Sequence, residues 1–139
     1  MGLWSLFRGK QAVGTVLGSP KPFVIDIEGR VYSDPTGRRT DVELSGGAKE
    51  VLAAGRWIVK QGQVLVITNE SPTYLPSLAQ MQKAVAHLAE IGLDVQGRGK
   101  GLLVVVYAEL DKDGQGINGK RYLVVKSSAG IELVPEGRS

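Results

Sequence analysis

The side chains best suited to catalysis and metal binding are scarce in this sequence. It contains one histidine, His87, and no cysteine. Disulfides, thiolate zinc sites and cysteine nucleophiles are therefore excluded, and a catalytic triad or a transition-metal site would have to use His87. This residue falls off the apolar stripe of the helix predicted below, so we interpret it as a solvent-facing side chain and predict neither a metal nor a cofactor.

Carboxylates are the second group that could carry out chemistry. Asp26 and Glu28 alternate with apolar residues, which places them on one face of a predicted strand. Residues 111–116 begin like a calcium-binding loop, but its twelfth position is Tyr122 rather than Glu. We therefore predict a solvent-facing strand and a hairpin loop. No catalytic residue is predicted, and the sequence argues against an enzyme without excluding one, because acid–base catalysis needs a cleft and a shifted pKa.

The segment 69–76, with the sequence NESPTYLP, is the most unusual stretch. It carries two prolines and a tyrosine, and it joins a predicted strand to the start of a predicted helix, where anions and ligands often bind. We predict Ser71, Thr73 and Tyr74 as ligand-binding residues. The alternative interpretation is a rigid connector with Tyr74 packed beneath it.

Basic residues outnumber acidic ones by 17 to 14, and they are scattered along the chain. This modest excess gives little support to nucleic-acid binding, and few aromatic residues lie near the basic ones to stack on bases. The candidate contacts for a weak nucleic-acid binder are Arg38, Arg39, Arg98 and Lys100.

The amino-terminal residues 1–21 are interrupted by glycine and proline, which predicts an arm rather than a long helix. We predict that the arm binds a protein partner or a second copy of the chain, and short interfacial membrane anchoring is the alternative. No apolar run is long enough to span a membrane, and the order of apolar then basic residues is the reverse of a signal peptide. The expected location is the cytoplasm, or a virion or other particle. The predicted partner-binding residues are Leu3, Trp4, Leu6 and Phe7.

The elements that must position these residues are one helix and several strands. Ser77 and Gln80 have capping-box spacing, and an apolar stripe then follows at intervals of three and four up to Gly92, which predicts a helix over 77–91. The stripe consists of Leu78, Met81, Val85, Leu88 and Ile91. The predicted strands are 23–27, 30–32, 41–44, 56–60, 63–68, 102–107, 121–126 and 131–134.

These elements predict an α+β fold in which one amphipathic helix packs a small, mostly antiparallel sheet. We expect residues 22–139 to form a single domain behind the arm 1–21. At 139 residues the chain is long enough to bury an ordinary core.

A motif links several of these segments to a known family. It consists of Ala53-Ala54-Gly55, Val59, Gly62, Ile67, Asn69, Ser71, Tyr74 and Pro76. It resembles a little-characterised domain of bacterial toxin- or effector-like proteins and of plant calmodulin-binding IQ-motif proteins, which read AAG, two strands around a glycine turn, then N-x-S-G-H-Y-x-P and a helix.

The resemblance carries over only Ser71 and Tyr74 as motif positions. Where the family has Gly-His, this chain has Pro72-Thr73, and residues 40–42 fall near the family's His-Ser-Ser. The chain has no IQ motif, so the resemblance implies no calmodulin binding. If the family histidines carry out chemistry, this chain lacks it.

Three functions follow as hypotheses. The leading one is a non-enzymatic interaction or structural module, part of a bacterial or phage assembly. The alternative is a small toxin- or effector-like enzyme with a pocket at segment 69–76 and a carboxylate converging on it. The third is a weak nucleic-acid binder.

Overall fold

A seven-stranded sheet dominates the molecule. The computed structural model describes residues 19–95 and 102–136, and the elements below belong to that part of the chain. The helices are α1 (Asp41–Ser45) and α2 (Leu78–Glu90). The strands are β1 (Lys21–Ile25), β2 (Val31–Ser33), β3 (Ala53–Lys60), β4 (Gln63–Thr68), β5 (Leu103–Leu110), β6 (Gly116–Ser127) and β7 (Gly130–Pro135).

The strands lie in the order β2-β1-β3-β4-β5-β6-β7. Every neighbouring pair is antiparallel except β4 and β5, which are parallel because α2 crosses between them. The predicted α+β class with a small, helix-packed sheet is therefore wrong. In the described chain the fold is mostly β, with a mixed sheet and two helices, one of only five residues.

The prediction missed the length of the strands in the second half of the chain. The segment 111–119 is polar and glycine-rich and reads as a loop, yet β6 already begins at Gly116. A Cβ atom at Gly119 would come within 2.6 Å of the ring of Tyr107, its partner on β5. Glycine here makes room for an aromatic side chain from the next strand, so the strand tolerates a residue that ordinarily weakens strands.

The predicted strand at 41–44 is also wrong, because these residues form α1. Thr40 is its N-cap, and the side chains of Thr40 and Glu43 close a capping box. Gly46 ends the helix in the left-handed conformation at φ 70°. The T-x-x-E spacing and the following glycine indicate a short helix, and the alternation of polar and apolar residues obscured them.

Helix α2 confirms the predicted helix and its ends. Ser77 and Gln80 form the capping box. The N–H of Leu93 donates to the carbonyl of Leu88 beyond Gly92, which is the hydrogen bond of a Schellman C-cap. The buried stripe is narrower than predicted: Leu78 and Ile91 are 37% and 52% exposed.

The two faces of the sheet have different covers. The buried residues of α2, namely Met81, Ala84, Val85 and Leu88, belong to one large apolar cluster with side chains from β1, β3, β4, β5, β6 and β7. On the other face, α1 packs near β1, where Leu44 joins Val24 and Ala54 in a smaller cluster. Of the predicted arm, residues 1–18 lie outside the described chain, and β1 begins at Lys21.

Candidate functional site

A cavity of about 420 Å³ opens beside α1. Its walls come from the loop and helix start at residues 37–42, from Pro22 of β1, from Gly55 and Arg56 of β3, and from the connector after β4. The connector contributes Glu70, Pro72 and Thr73, so part of the segment predicted to bind a ligand does line a cavity. We call it the arginine cavity, after Arg38, Arg39 and Arg56 in its walls.

Asp41 fastens the connector to α1. Its carboxylate accepts hydrogen bonds from the hydroxyl of Ser71 (2.5 Å), from the hydroxyl of Thr73 (3.1 Å), and from the N–H groups of Thr73 (3.2 Å) and Val42 (2.8 Å). A carboxylate has about four acceptor positions. All of them are taken, so the Asp41 cluster, which comprises Asp41, Ser71 and Thr73, holds two backbone segments together.

The structure brings the three predicted ligand-binding residues together, but only Thr73 lines the cavity. Ser71 is 1% exposed, and besides its bond to Asp41 it accepts the N–H of Tyr74. The hydroxyl of Tyr74 donates to the carbonyl of Ala48 and lies 2.8 Å from the hydroxyl of Ser45. The ligand-binding role of the three residues stays a prediction, because these contacts are internal to the protein.

Asn69 anchors the start of the connector. Its amide donates to the carbonyls of Pro76 (2.8 Å) and Tyr107 (3.0 Å), and its side-chain oxygen accepts the N–H of Tyr107 (2.8 Å). One buried side chain therefore joins the end of β4, the approach to α2 and the middle of β5. This arrangement fixes the connector at its first residue and just before the helix.

Glu70 joins the connector to β6. Its two carboxylate oxygens accept the hydroxyl of Thr68 (3.1 Å) and the N–H of Gly116 (3.0 Å). Glu70 is 5% exposed. Its charge affects Tyr107: the burial of Tyr107 and, second, the Glu70 charge raise the pKa of Tyr107 to about 12.

The loop that carries Arg38 and Arg39 is built around Asp34. The carboxylate of Asp34 accepts the hydroxyl and the N–H of Thr36 and the N–H groups of Arg38 and Arg39. Hydrogen bonds from Thr36, followed by those from Arg39 and Arg38, outweigh burial and lower the pKa of Asp34 to about 2. The loop is therefore fixed in shape by an ionised carboxylate.

The arginines of the cavity differ from other arginines of the described chain. Arg30 pairs with Asp26 and Glu28, and Arg121 pairs with Glu136. In residues 19–95 and 102–136, Arg38, Arg39 and Arg56 form no such ion pair and their guanidinium groups make no hydrogen bond. Three cationic groups without a carboxylate partner therefore surround one cavity.

The remaining predicted sites take other roles. His87 is not solvent-facing as predicted: it is half-buried, and its Nε2 donates to the carbonyl of Gly29 at 2.6 Å. Helix α2 directs the imidazole toward the β1–β2 turn. Gly29 leaves room for the ring there, because a Cβ at this position would come within 2.8 Å of it.

The carboxylates at 26 and 28 are not on a strand, since β1 ends at Ile25. Asp26 instead accepts the N–H groups of Glu28 and Arg30 and pairs with the Arg30 guanidinium, which closes the turn. Asp111 closes the β5–β6 loop in the same way by accepting the N–H groups of Asp113 and Gln115.

Other predicted residues and sites are not among these contacts. Arg98, Lys100 and the apolar residues of the arm lie outside the described residues. Among the residues described, no three His, Cys, Asp or Glu side chains are grouped so that they could hold a metal ion. The described helices include none with the length and apolar character that a bilayer crossing requires.

Comparison with known proteins adds no relative. No protein-family model, curated protein or solved structure matches this chain.

Proposed function

We propose that this protein is a non-enzymatic interaction module, a component of a bacterial or phage assembly, that associates through the apolar residues of segment 1–18. The observation that carries the proposal is the state of the side chains capable of chemistry. Asp41, Glu70 and His87 all bind backbone groups of neighbouring elements, so each already has a structural role. Binding, rather than reaction, is the function that this arrangement favours.

A second support is an apolar cluster on the sheet that lies away from both helices. Ile58, Val66 and Val105 form a cluster on the sheet, and each is 4% exposed or less. The buried members and the residues packed against them come from β3, β4 and β5 alone, so neither α1 nor α2 covers it. A sheet stabilises such an apolar cluster by packing it against a second apolar layer.

The position of β1 supports segment 1–18 as the group that binds there. Lys21, the first residue of β1, pairs with Trp57, which is next to Ile58 on β3. Segment 1–18 therefore joins the sheet at the end of β1 that pairs with Trp57, one residue along β3 from Ile58. Leu3, Trp4, Leu6 and Phe7 would bring to it the aliphatic and aromatic surface that such contacts use.

The sheet edges argue against association by strand pairing, because they are poorly suited to it. At the β7 edge, the N–H of Leu133 donates to the side chain of Gln82 (3.3 Å), and Pro135 has no N–H to offer. At the other edge, β2 has only three residues. Edge-to-edge pairing with another strand is therefore disfavoured at both ends.

The experiment compares residues 1–139 with residues 19–139 by light scattering and circular dichroism. We expect the shorter chain to keep its sheet signal. We also expect it to contain fewer chain copies per particle than the full chain. Trp4→Ser and Phe7→Ser in the full chain should reproduce the loss, and Gln11→Ala should not. The same number of chain copies per particle for both lengths would contradict association through this segment.

A second candidate, the small toxin- or effector-like enzyme, has one observation in its favour. Residues 40–42 and 72–73, where the resembled family has its histidine motifs, meet at the arginine cavity, and Asp41 bonds to Thr73 there. Induced expression in bacteria tests this candidate, with Arg56→Gln as the comparison. Growth arrest by the unaltered protein that Arg56→Gln relieves would support an enzyme, and equal growth of both cultures would count against it.

A further inference from the structure

We propose that the arginine cavity is a binding site for a small phosphorylated molecule, independently of the association proposed above. The cavity volume of about 420 Å³ suits such a ligand, because small-molecule sites commonly measure about 300–1,000 Å³. The site is open to solvent-borne ligands through the exposed residues Arg38 and Arg39. Its walls include three arginines and two threonines, Thr40 and Thr73.

The unpaired arginines indicate an anion. A guanidinium presents its N–H groups in a planar fork that matches the oxygens of phosphate and carboxylate. Arg30 and Arg121 direct this fork to carboxylates of the protein itself. Arg38, Arg39 and Arg56 do not, so their N–H groups remain for a ligand.

The arginines also come from well-fixed backbone. Asp34 binds the N–H groups of both Arg38 and Arg39, which holds the loop in one shape. Arg56 lies within β3, where it pairs with Pro22 on one side and Thr68 on the other. A site assembled before the ligand arrives loses less conformational entropy on binding.

The two carboxylates of the cavity do not compete for the arginines. Asp41 is saturated by its four hydrogen bonds, and Glu70 accepts from Thr68 and Gly116. Three guanidinium groups against two carboxylates leave the cavity walls with an excess of positive charge. A phosphate group offers more acceptor oxygens to three forks than a single carboxylate does, which is why we favour it.

The test is a titration of the full-length, isotope-labelled protein with inorganic phosphate, followed by the backbone amide resonances. We expect saturable shifts at Arg38, Arg39 and Thr73, which potassium chloride at equal ionic strength does not reproduce. Arg56→Gln and Arg38→Gln should each weaken binding about tenfold, the effect of losing one charge-assisted hydrogen bond. Arg121→Gln, which lies outside the cavity, is the matched control and should bind normally.

Three results would overturn the proposal. One is equal shifts from chloride and phosphate, which would mean ionic screening alone. Another is an equal phosphate affinity of the Arg38→Gln and Arg121→Gln proteins. Arg38 is exposed on a loop. The third is saturation by acetate or by a single-stranded oligonucleotide at concentrations where inorganic phosphate has no effect, which would assign the cavity to carboxylates or to nucleic acid.

Discussion

The two faces of the sheet are held by different kinds of contact. On the α2 face, Met81, Val85 and Leu88 are fully buried in a continuous apolar cluster. On the α1 face, the connector is attached by hydrogen bonds, from Ser71 to the buried side chain of Asp41 and from Asn69 to the backbone of Tyr107. Packing on the first face depends on volume and shape, whereas attachment on the second depends on pairing each polar atom.

The difference shows how each face depends on the sequence. The apolar stripe of α2 comes from residues three and four apart, so it is visible within a few turns of helix. The bonds of Asp41 and Asn69 join residues 30 and 38 positions apart. Substitutions on the two faces should therefore lower the free energy of unfolding for different reasons and by different amounts.

The largest effect is expected on the α2 face. Leu88→Ala removes a fully buried side chain and leaves a cavity, so we expect the free energy of unfolding to fall by about 3 kcal/mol. Urea unfolding measures it. The control is Leu78→Ala on the same helix, which is 37% exposed and should cost less than half as much.

A smaller loss is expected on the α1 face. Asp41→Ala leaves the hydroxyl of buried Ser71 without its acceptor and frees the connector, and we expect a loss of about 2 kcal/mol. Asp113→Ala, an exposed loop aspartate, should be close to neutral in the same urea titration. A neutral Asp41→Ala would mean that the polar contacts do not hold this face.

A pH limit distinguishes the faces further. The pKa of Tyr107 is raised to about 12, so the unfolded chain loses this proton near pH 10 while the folded chain keeps it. The contribution of Tyr107 to stability is thus complete below pH 10 and is lost as the pH rises toward 12. Tyr107→Phe should make the alkaline decline of the unfolding midpoint shallower, which urea unfolding at increasing pH measures.

The smallest effect is expected at the loop of the arginine cavity. The pKa of Asp34 is lowered to about 2, so its contribution is present above its ordinary pKa of 3.8 and is lost as the pH falls toward 2. Asp34→Asn should flatten the acid decline of the unfolding midpoint between these values. Asp113→Asn is the control, and an equal flattening there would assign the acid decline to general charge.

The elements that the sequence predicted well have local causes. The capping box and Gly92 set the ends of α2. The β3–β4 hairpin was visible in its Gln61-Gly62 turn, where both residues have positive φ (51° and 78°), as a tight two-residue turn requires. Helix α1 also has local signals, in Thr40 and Glu43, which apolar alternation outweighed.

The candidate site was predicted only in part. The unusual composition of segment 69–76 indicated the connector, and the structure places Thr73 in a cavity wall. The residues that the sequence did not reveal as its supports were Asp41, Asn69 and Asp34. The D-x-T-G turn at Asp34 had a local signal, but the bonds of Asp41 to Ser71 and of Asn69 to Tyr107 had none, because these partners are distant along the chain.

The sequence alone determined the capped helix α2, the tight hairpin and the absence of thiol chemistry, because each depends on residue type or on neighbours within a few positions. Within residues 19–95 and 102–136, only the tertiary structure decided that seven strands form one sheet, that Tyr107 lies over Gly119, and that three arginines without carboxylate partners line one cavity. The seven-strand order depends on the pairings of β1 with β3 and of β4 with β5, which are separated along the chain by a helix in each case. Those pairings are fixed by the packing of the whole sheet rather than by any pattern within one segment.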